Sequence, residues 1–442
     1  MAVLRRIAIV AILQALSSSA FASTEVRLAK GPYVTGVSEK GADIRFELDQ
    51  AVPAAVTIAR DGPPPATPQR FESRDPSALH VVRVTGLQGD ARYTYSVRAN
   101  GAVVGEGQFS TPPPAGTDAP VAFIVYGDDR TDPTAHAAIV RGMLQVPAAF
   151  LVNTGDMVED GGDADAWQTF FSIEAPLFRD RPIFVAIGNH ELVNDLAGAN
   201  FARYFGFPSA DGSPKLYGTV RFGSVRLFFL NAMHGWESGE ERDWLVGALT
   251  SSDAEPGVRW RIAVAHHGPW SSGPHGPSAN LNDAGIPELL RAHHVDLVLS
   301  GHDHIYERGS SDGLKYLVSG GGGAPLYRID RLEPTSLKAE STYHFVLMTA
   351  TASTMKLVAR RVDGTVLDVC GFAKGQPWDC DPPASVTLPP LEPGGGEHPR
   401  AAASCRCESG AKGGDRSAVA AMAILVVLAG ARRMRRLVLR CA

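Results

Sequence analysis

The chain has 442 residues, of which 44% are hydrophobic and 20% charged, and its formal net charge is −5. That length and apolar content support two domains with real cores. The mildly acidic balance, with no basic stripe through the body of the sequence, argues against a nucleic-acid partner. Taken in chain order, residues 1–22 carry Arg5 and Arg6, an apolar stretch over 7–16, and then Ala20, Phe21 and Ala22. A charged start, a short apolar run and a small-x-small site read as an export signal cut after Ala22, with an uncleaved N-terminal anchor as the alternative. Residues 24–114 alternate in short apolar runs: Ile44, Phe46 and Leu48; Val82 and Val84; Tyr93, Tyr95 and Val97. Turn-rich clusters such as Asp61-Gly62-Pro63 separate them, which predicts a small all-β sandwich of fibronectin type III-like kind, structural or substrate-shaping in role. The prolines Pro112, Pro113 and Pro114 form a stiff linker.

The second domain, 119–372, contains five apolar runs that each stop on small and then polar or metal-ligating residues. They are 123–126 before Gly127-Asp128, 150–153 before Gly155-Asp156, and 183–187 before Gly188-Asn189-His190. The last two are 262–264 before His266-His267 and 295–299 before Gly301-His302-Asp303-His304. Short β-branched runs bounded by glycine read as buried strands, and their series predicts a largely central sheet in an α/β layered domain. Hairpins follow over 343–350, 355–362 and 365–369, the last two joined by Asp363-Gly364. Residues 375–416, rich in Pro, Gly, Ala and Ser, read as a disordered stalk.

The final apolar stretch, 417–431, precedes Arg432, Arg433, Arg435 and Arg436. It is shorter than the roughly 18–20 residues of a comfortable membrane span. The arginines would face the cytoplasm, so 417–436 reads as a short transmembrane or sorting segment. With Cys405 and Cys407 ahead of it across a Gly-rich spacer, the tail resembles the C-terminal sorting tails of myxobacterial-type surface proteins. The expectation is an exported protein, periplasmic or at the cell surface, tethered to the membrane by this segment. Of the five cysteines, Cys370 and Cys380 lie close together at the end of the folded region and are expected to form a disulfide in an exported chain.

Asp128, Asp156, Asn189, His267, His302 and His304 have the chemistry of a dinuclear metal site. A carboxylate can bridge two cations, and imidazole with amide oxygen suits borderline metals such as Fe, Mn, Zn or Co. Two cations ~3.5–4 Å apart can clamp both oxygens of an in-line displacement at phosphorus. In order and spacing these motifs resemble those of the calcineurin-like metallophosphoesterases. The purple acid phosphatase branch is the nearest likeness, because an all-β segment containing Gly31-Pro32-Tyr33 precedes the catalytic domain. The likeness spans roughly 27–372. It implies a β-sandwich core flanked by helices and hydrolysis of phosphate esters by in-line attack of a metal-bridged hydroxide. Acid phosphatase-like monoester hydrolysis is the first expectation, and a phosphodiesterase or nucleotidase of the same fold the second. A non-catalytic surface binding protein on a decayed scaffold is the alternative of another class.

Carried over residue by residue, the likeness implies one metal held by Asp128, Asp156 and His304. It implies a second held by Asp156, Asn189, His267 and His302, with Asp156 bridging. His190 would stand beside the substrate phosphate and assist the leaving oxygen. Two positions depart from the pattern. Glu159 stands where the purple enzymes have a tyrosine, which removes the expectation of a purple colour. Arg130 stands where other branches have a ligand histidine, and arginine has no lone pair to offer a metal. Arg130 can instead contact substrate phosphate or pair with Asp132 or Asp129. His266 reads as a support behind the ligand His267 or merely a packed neighbour, and His275, in the loop that begins Pro269-Trp270, as a residue that touches substrate or an exposed loop histidine. The glycines 320–323 lack the Lys-Ser/Thr of a phosphate loop and read as close backbone packing near the site.

Overall fold

The computed structural model describes residues 25–63, 66–209 and 211–382. Five antiparallel strands come first: β1 (Leu28–Ser38), β2 (Gly41–Arg60), β3 (Gln69–Thr85), β4 (Arg92–Ala99) and β5 (Ala102–Ser110). They form one sheet in the order β1-β2-β4-β5, with β3 also paired to β2. The alternation read from the sequence sets its faces: Ile44, Phe46, Leu48, Val82, Val84, Tyr95 and Val97 are buried together. Tyr33 ties this sheet to the rest of the chain. Its ring packs against Phe171, Phe178 and Phe205, and its hydroxyl donates to the Tyr204 carbonyl at 3.0 Å.

The rest of the chain builds two seven-stranded mixed sheets with helices outside them. The first holds β6 (Val121–Tyr126), β7 (Phe150–Asn153) and β8 (Ile183–Val185), which run parallel. A short pair, β9 (Phe207–Pro208) and β10 (Pro214–Lys215), comes next. The second sheet holds β11 (Gly218–Phe222), β12 (Val225–Leu230), β13 (Trp260–Ala265), β14 (Leu297–Ser300), β15 (Tyr306–Ser311), β16 (Leu314–Ser319) and β17 (Ser336–Glu340). The expected hairpins then return to the first sheet as β18 (His344–Ala350), β19 (Thr354–Arg361) and β20 (Val366–Ala373), with β18 antiparallel to β6. A last strand, β21 (Asp379–Asp381), lies within the stretch read as stalk. It pairs with β20 at the position of the Cys370–Cys380 disulfide.

The five apolar runs therefore divide between two sheets instead of sharing one. Period-two alternation explains the pairing of the sheets. Phe123, Val125, Phe150, Val152 and Phe184 share a core with Leu227, Phe229, Ile262, Val264, Leu297 and Leu299 from the other sheet. The intervening residues face outward under helices. Ile124, Tyr126, Leu151 and Val185 pack beneath α1 (Pro133–Leu144), α2 (Ala164–Phe178) and α3 (Ala199–Phe205). Phe228, Ala263 and Val298 pack beneath α4 (Glu240–Asp253), α5 (Ala279–Asn282) and α6 (Ile286–Ala292). A parallel strand covered on both faces has no solvated side, so its sequence is a continuous apolar run.

One expectation is corrected. Among the described residues no helix is long and apolar enough to cross a membrane. The segment 417–436 on which a membrane tether rested lies outside the described residues, as do the export signal over 1–22 and most of the stalk. At 15 residues, nearly all apolar, the stretch 417–431 is also short for a span. The transmembrane reading, membrane partnership and tethered location are withdrawn.

Candidate metal centre

The parallel strands of both sheets deliver their C-terminal ends to one rim. There Asp128, Asp156 and His302 adopt left-handed backbone, with φ of 59°, 58° and 69°. Such a conformation costs a non-glycine residue roughly 1–3 kcal/mol and persists where surrounding structure enforces it. The enforcing contacts are cross-links between strand ends. The Asp128 N–H donates to the Gly155 carbonyl (2.9 Å) and the Asp129 N–H to that of Asp156 (3.0 Å). The His302 N–H donates to both carboxylate oxygens of Asp128 at 3.1 and 3.0 Å.

Two groups of donor atoms result. Asp128, Asp156 and His304 are buried, with ligand atoms within 4.8 Å of one another. The Nδ1 of His304 bonds to the Pro325 carbonyl at 2.6 Å, and its Nε2 lies 3.5 Å from Asp128 Oδ1. A committed Nδ1–H leaves the Nε2 lone pair facing the carboxylates. His266, His267 and His302 form the second group, joined by the Asn189 side chain. Asn189 Oδ1 is 3.2 Å from His266 Nε2 and 3.1 Å from His267 Nε2. His266 Nε2 also lies 3.2 Å from Asp156 Oδ1, which brings Asp156 to both groups. Glycines leave room for the carboxylates. A Cβ on Gly301 would stand 2.3 Å from Asp128 Oδ2, and one on Gly188 2.2 Å from Asp156 Oδ1. This set of oxygen and imidazole donors, shared through one aspartate, fits a dinuclear centre of divalent or trivalent cations.

The surrounding side chains hold this rim in place. Glu191 is fully buried. One of its oxygens accepts from the N–H groups of Asp156 and Gly188 and the other from Met157, which latches two strand ends together. Asp303 accepts from Ser271 Oγ and from the His275 N–H and so anchors the loop 271–275. His275 is brought to the rim, its ring 4.2 Å from that of His302 and its Nε2 3.4 Å from the Tyr327 hydroxyl. Tyr327 stacks on His304 at 4.0 Å. His190 bonds through Nδ1 to the Glu159 carbonyl at 2.7 Å and turns Nε2 toward Asp156 Oδ2, 3.9 Å away. Arg130 pairs with neither Asp132 nor Asp129. Its Nε lies 3.2 Å from Asp156 Oδ2, its Nη1 2.8 Å from Glu159, and its Nη2 3.4 Å from His304 Nε2. The guanidinium thus lies against two of the donors of the first group.

Charge reflects this crowding. Burial, together with the Asp156 charge, pushes the Asp128 carboxyl well above the usual carboxylate range. Asp156 goes the other way: burial works against its charge, but His266, His190 and their hydrogen bonds hold it low. His267 and His304 are lowered to about 3 and about 4, chiefly by burial, and His302 is also lowered. Neutral imidazoles are the form a metal needs. His266 is raised to about 9, because Asp156 outweighs the effect of burial.

Three residues near the site were not singled out as functional by sequence: His266, Glu191 and Tyr327. A signal for the first existed. On β13, Ile262 and Val264 face between the sheets, so the same period carries position 266 inward, toward Asp156 and Thr154. His266 is fully buried and its Nδ1 bonds to the Thr154 carbonyl at 2.9 Å, whereas His267 sits at the rim. Tyr327 arrives from a loop with no local pattern to mark it.

Comparison with known proteins agrees with this geometry. Residues 135–306 match the model of the family described as calcineurin-like phosphoesterase. That span takes in every candidate residue from Asp156 onward and begins after Asp128 and Arg130. A relative from Arabidopsis thaliana named "Probable inactive purple acid phosphatase 1" is 24% identical over 353 residues, covering 67% of this chain and 57% of its own length. The chain spans a little over half the length of the curated relatives it first matches. Among solved structures, a purple acid phosphatase from yellow lupin seeds superposes with a TM-score of 0.66 at 19% identity, covering 79% of this chain and 74% of that one. PhoD superposes with a TM-score of 0.64 at 12% identity, covering 79% and 91%. Both likenesses are of fold.

Proposed function

We propose that this chain, which carries a calcineurin-like metallophosphoesterase domain related to purple acid phosphatases, is an exported hydrolase of phosphate esters. Acid phosphatase-like monoesters are its first substrate class. The observation that carries the reading is the pair of donor groups sharing Asp156 at the common rim of two sheets. Asp128, Asp156 and His304 would hold one cation. Asp156, Asn189 and His302 would hold the other, with an imidazole from the His266–His267 pair. His266 is the better placed of the two, since its Nδ1 is committed and its Nε2 faces both Asp156 and Asn189. Bound there, two cations supply Lewis-acid stabilisation of phosphoryl oxygens and acidify water.

His190 handles the leaving group. With Nδ1–H given to the Glu159 carbonyl, the imidazolium carries its transferable proton on Nε2, on the side of Asp156. Arg130 serves the substrate. The Arg130 guanidinium, which lies against Asp156 and Glu159 at the rim, would contact the substrate phosphate there. His275 and Tyr327 border the same opening and face the ester's organic group. The five-stranded sheet, which we read as a fibronectin type III-like module, braces α2 and α3 through Tyr33. The Cys370–Cys380 disulfide suits an oxidising, extracytoplasmic setting.

The test is turnover of aryl phosphate mono- and diesters and nucleotides by the protein loaded with Mn, Zn, Fe or Co. Hydrolysis that disappears in Asp156→Ala and Asn189→Ala supports the reading, and the preferred ester sets the substrate class. No turnover with any of the metals would identify the chain as a binding protein on this scaffold.

A further inference from the structure

A third donor group lies outside the rim, under α1 and α2. Asp129 follows the first candidate ligand, His136 comes from α1 and Glu174 from α2, and their ligand atoms lie within 4.8 Å of one another. All three are closed off from solvent, at 2%, 2% and 0% exposure. His136 Nε2 meets Glu174 Oε1 at 2.8 Å, and Asn153 Nδ2 donates to Asp129 Oδ2 at 2.5 Å. The remaining oxygens, Asp129 Oδ1 and Glu174 Oε2, are buried without a hydrogen-bond partner. The buried Tyr126 hydroxyl stands beside Glu174 and Asn153. Two buried carboxylates and one imidazole meet in an apolar shell that includes Phe170, stacked on His136 at 5.8 Å. Among the described residues no lysine or arginine pairs with either carboxylate. Orphaned buried carboxylate oxygens are costly. A divalent cation would give the free oxygens a partner.

We propose that Asp129, His136 and Glu174 form a closed structural site for a borderline divalent cation such as zinc or manganese, separate from the catalytic pair. Imidazole with two carboxylates is a donor set for such ions, and the Tyr126 oxygen is at hand as a fourth donor. Two glycines of the run 320–323 lie against this cluster. A Cβ on Gly322 would stand 2.2 Å from Asp129 Oδ1, and one on Gly323 3.1 Å from the His136 Cβ. Only bare backbone can close over the cluster. The ion would pin α1 and α2 to the segment that carries Asp128. It has no route to substrate and takes no part in turnover.

The experiment is metal counting on the purified full chain loaded with zinc alone and freed of excess. Glu174→Gln, which keeps the shape of the side chain and removes its charge, is expected to hold one equivalent fewer than the unmodified protein. Crystals of the unmodified protein grown with zinc are expected to show an anomalous peak among the three side chains. These crystals decide alone should Glu174→Gln fail to fold. Equal zinc content in the two proteins, or anomalous peaks in the catalytic groups with none at this cluster, overturns the proposal and leaves a hydrogen-bonded His136–Glu174 pair.

Discussion

Gly301→Ala tests whether the first carboxylate must stand where it does. Gly301 has no left-handed φ, so alanine meets no backbone obstacle. Its Cβ would lie 2.3 Å from Asp128 Oδ2 and 2.7 Å from Thr154 Oγ1, with no backbone atom among the nearest neighbours. An ordinary contact begins near 3.4 Å, so the Asp128 oxygen must retreat by about 1 Å, the difference between 3.4 and 2.3. The side chain can do this only by weakening its two hydrogen bonds from the His302 N–H. Added bulk of this kind costs about 1–3 kcal/mol of stability, which a domain of this size survives. A displacement of about 1 Å in a reacting array costs on the order of 10²-fold in rate. The expected outcome is a folded protein whose kcat on an aryl phosphate falls about 100-fold and whose metal content drops by one equivalent. A variant with full metal content and kcat within about 3-fold of the parent would refute the role given to Asp128.

The same geometry sets three more outcomes. His190→Asn should slow hydrolysis of alkyl phosphates by about 10²–10⁴-fold, and of p-nitrophenyl phosphate much less, because that leaving group departs without a proton; equal losses on both would remove His190 as the acid. In the metal-free protein, His266 raised to about 9 binds a proton that the unfolded chain releases above its ordinary 6.5. Its contribution to stability is therefore complete below pH 6.5 and lost as pH rises toward 9, so Tm should fall over that window and His266→Gln should flatten the fall. His267 and His304, lowered to about 3 and 4, give the opposite slope below pH 6.5, where the unfolded chain takes up protons that the folded one refuses. Tyr327→Phe removes a hydroxyl facing His275 and, at about 1 kcal/mol for one hydrogen bond, should lower kcat/KM about 5-fold at unchanged metal content; a loss of metal would instead make the ring a support for His304.

How far the sequence reached depended on how local each signal was. The strand runs at 123–126, 150–153 and 262–264 were legible because a parallel strand buried on both faces must be apolar throughout. The residues at their ends stood next to those runs and were legible with them. The hairpin over 343–362 was fixed by alternation. Which sheet each strand joins was not: a run such as 297–300 fits either, and the choice rests on contacts between residues far apart in the chain, such as Phe123 with Phe150. The same holds for Arg130, whose partners Asp156 and Glu159 lie 26 and 29 residues away and displaced the local pairing with Asp132.

The sequence by itself determined that Asp128, Asp156, Asn189, His302 and His304 end buried strands, because burial writes a periodic pattern into the chain and a polar stop interrupts it. Only the tertiary structure decided that His266 faces Asp156 and Asn189, and that Asp129, His136 and Glu174 meet beneath the rim. Those groupings arise where two sheets and two helices pack. The positions of atoms from separate elements depend on that packing, and no short stretch of sequence contains it.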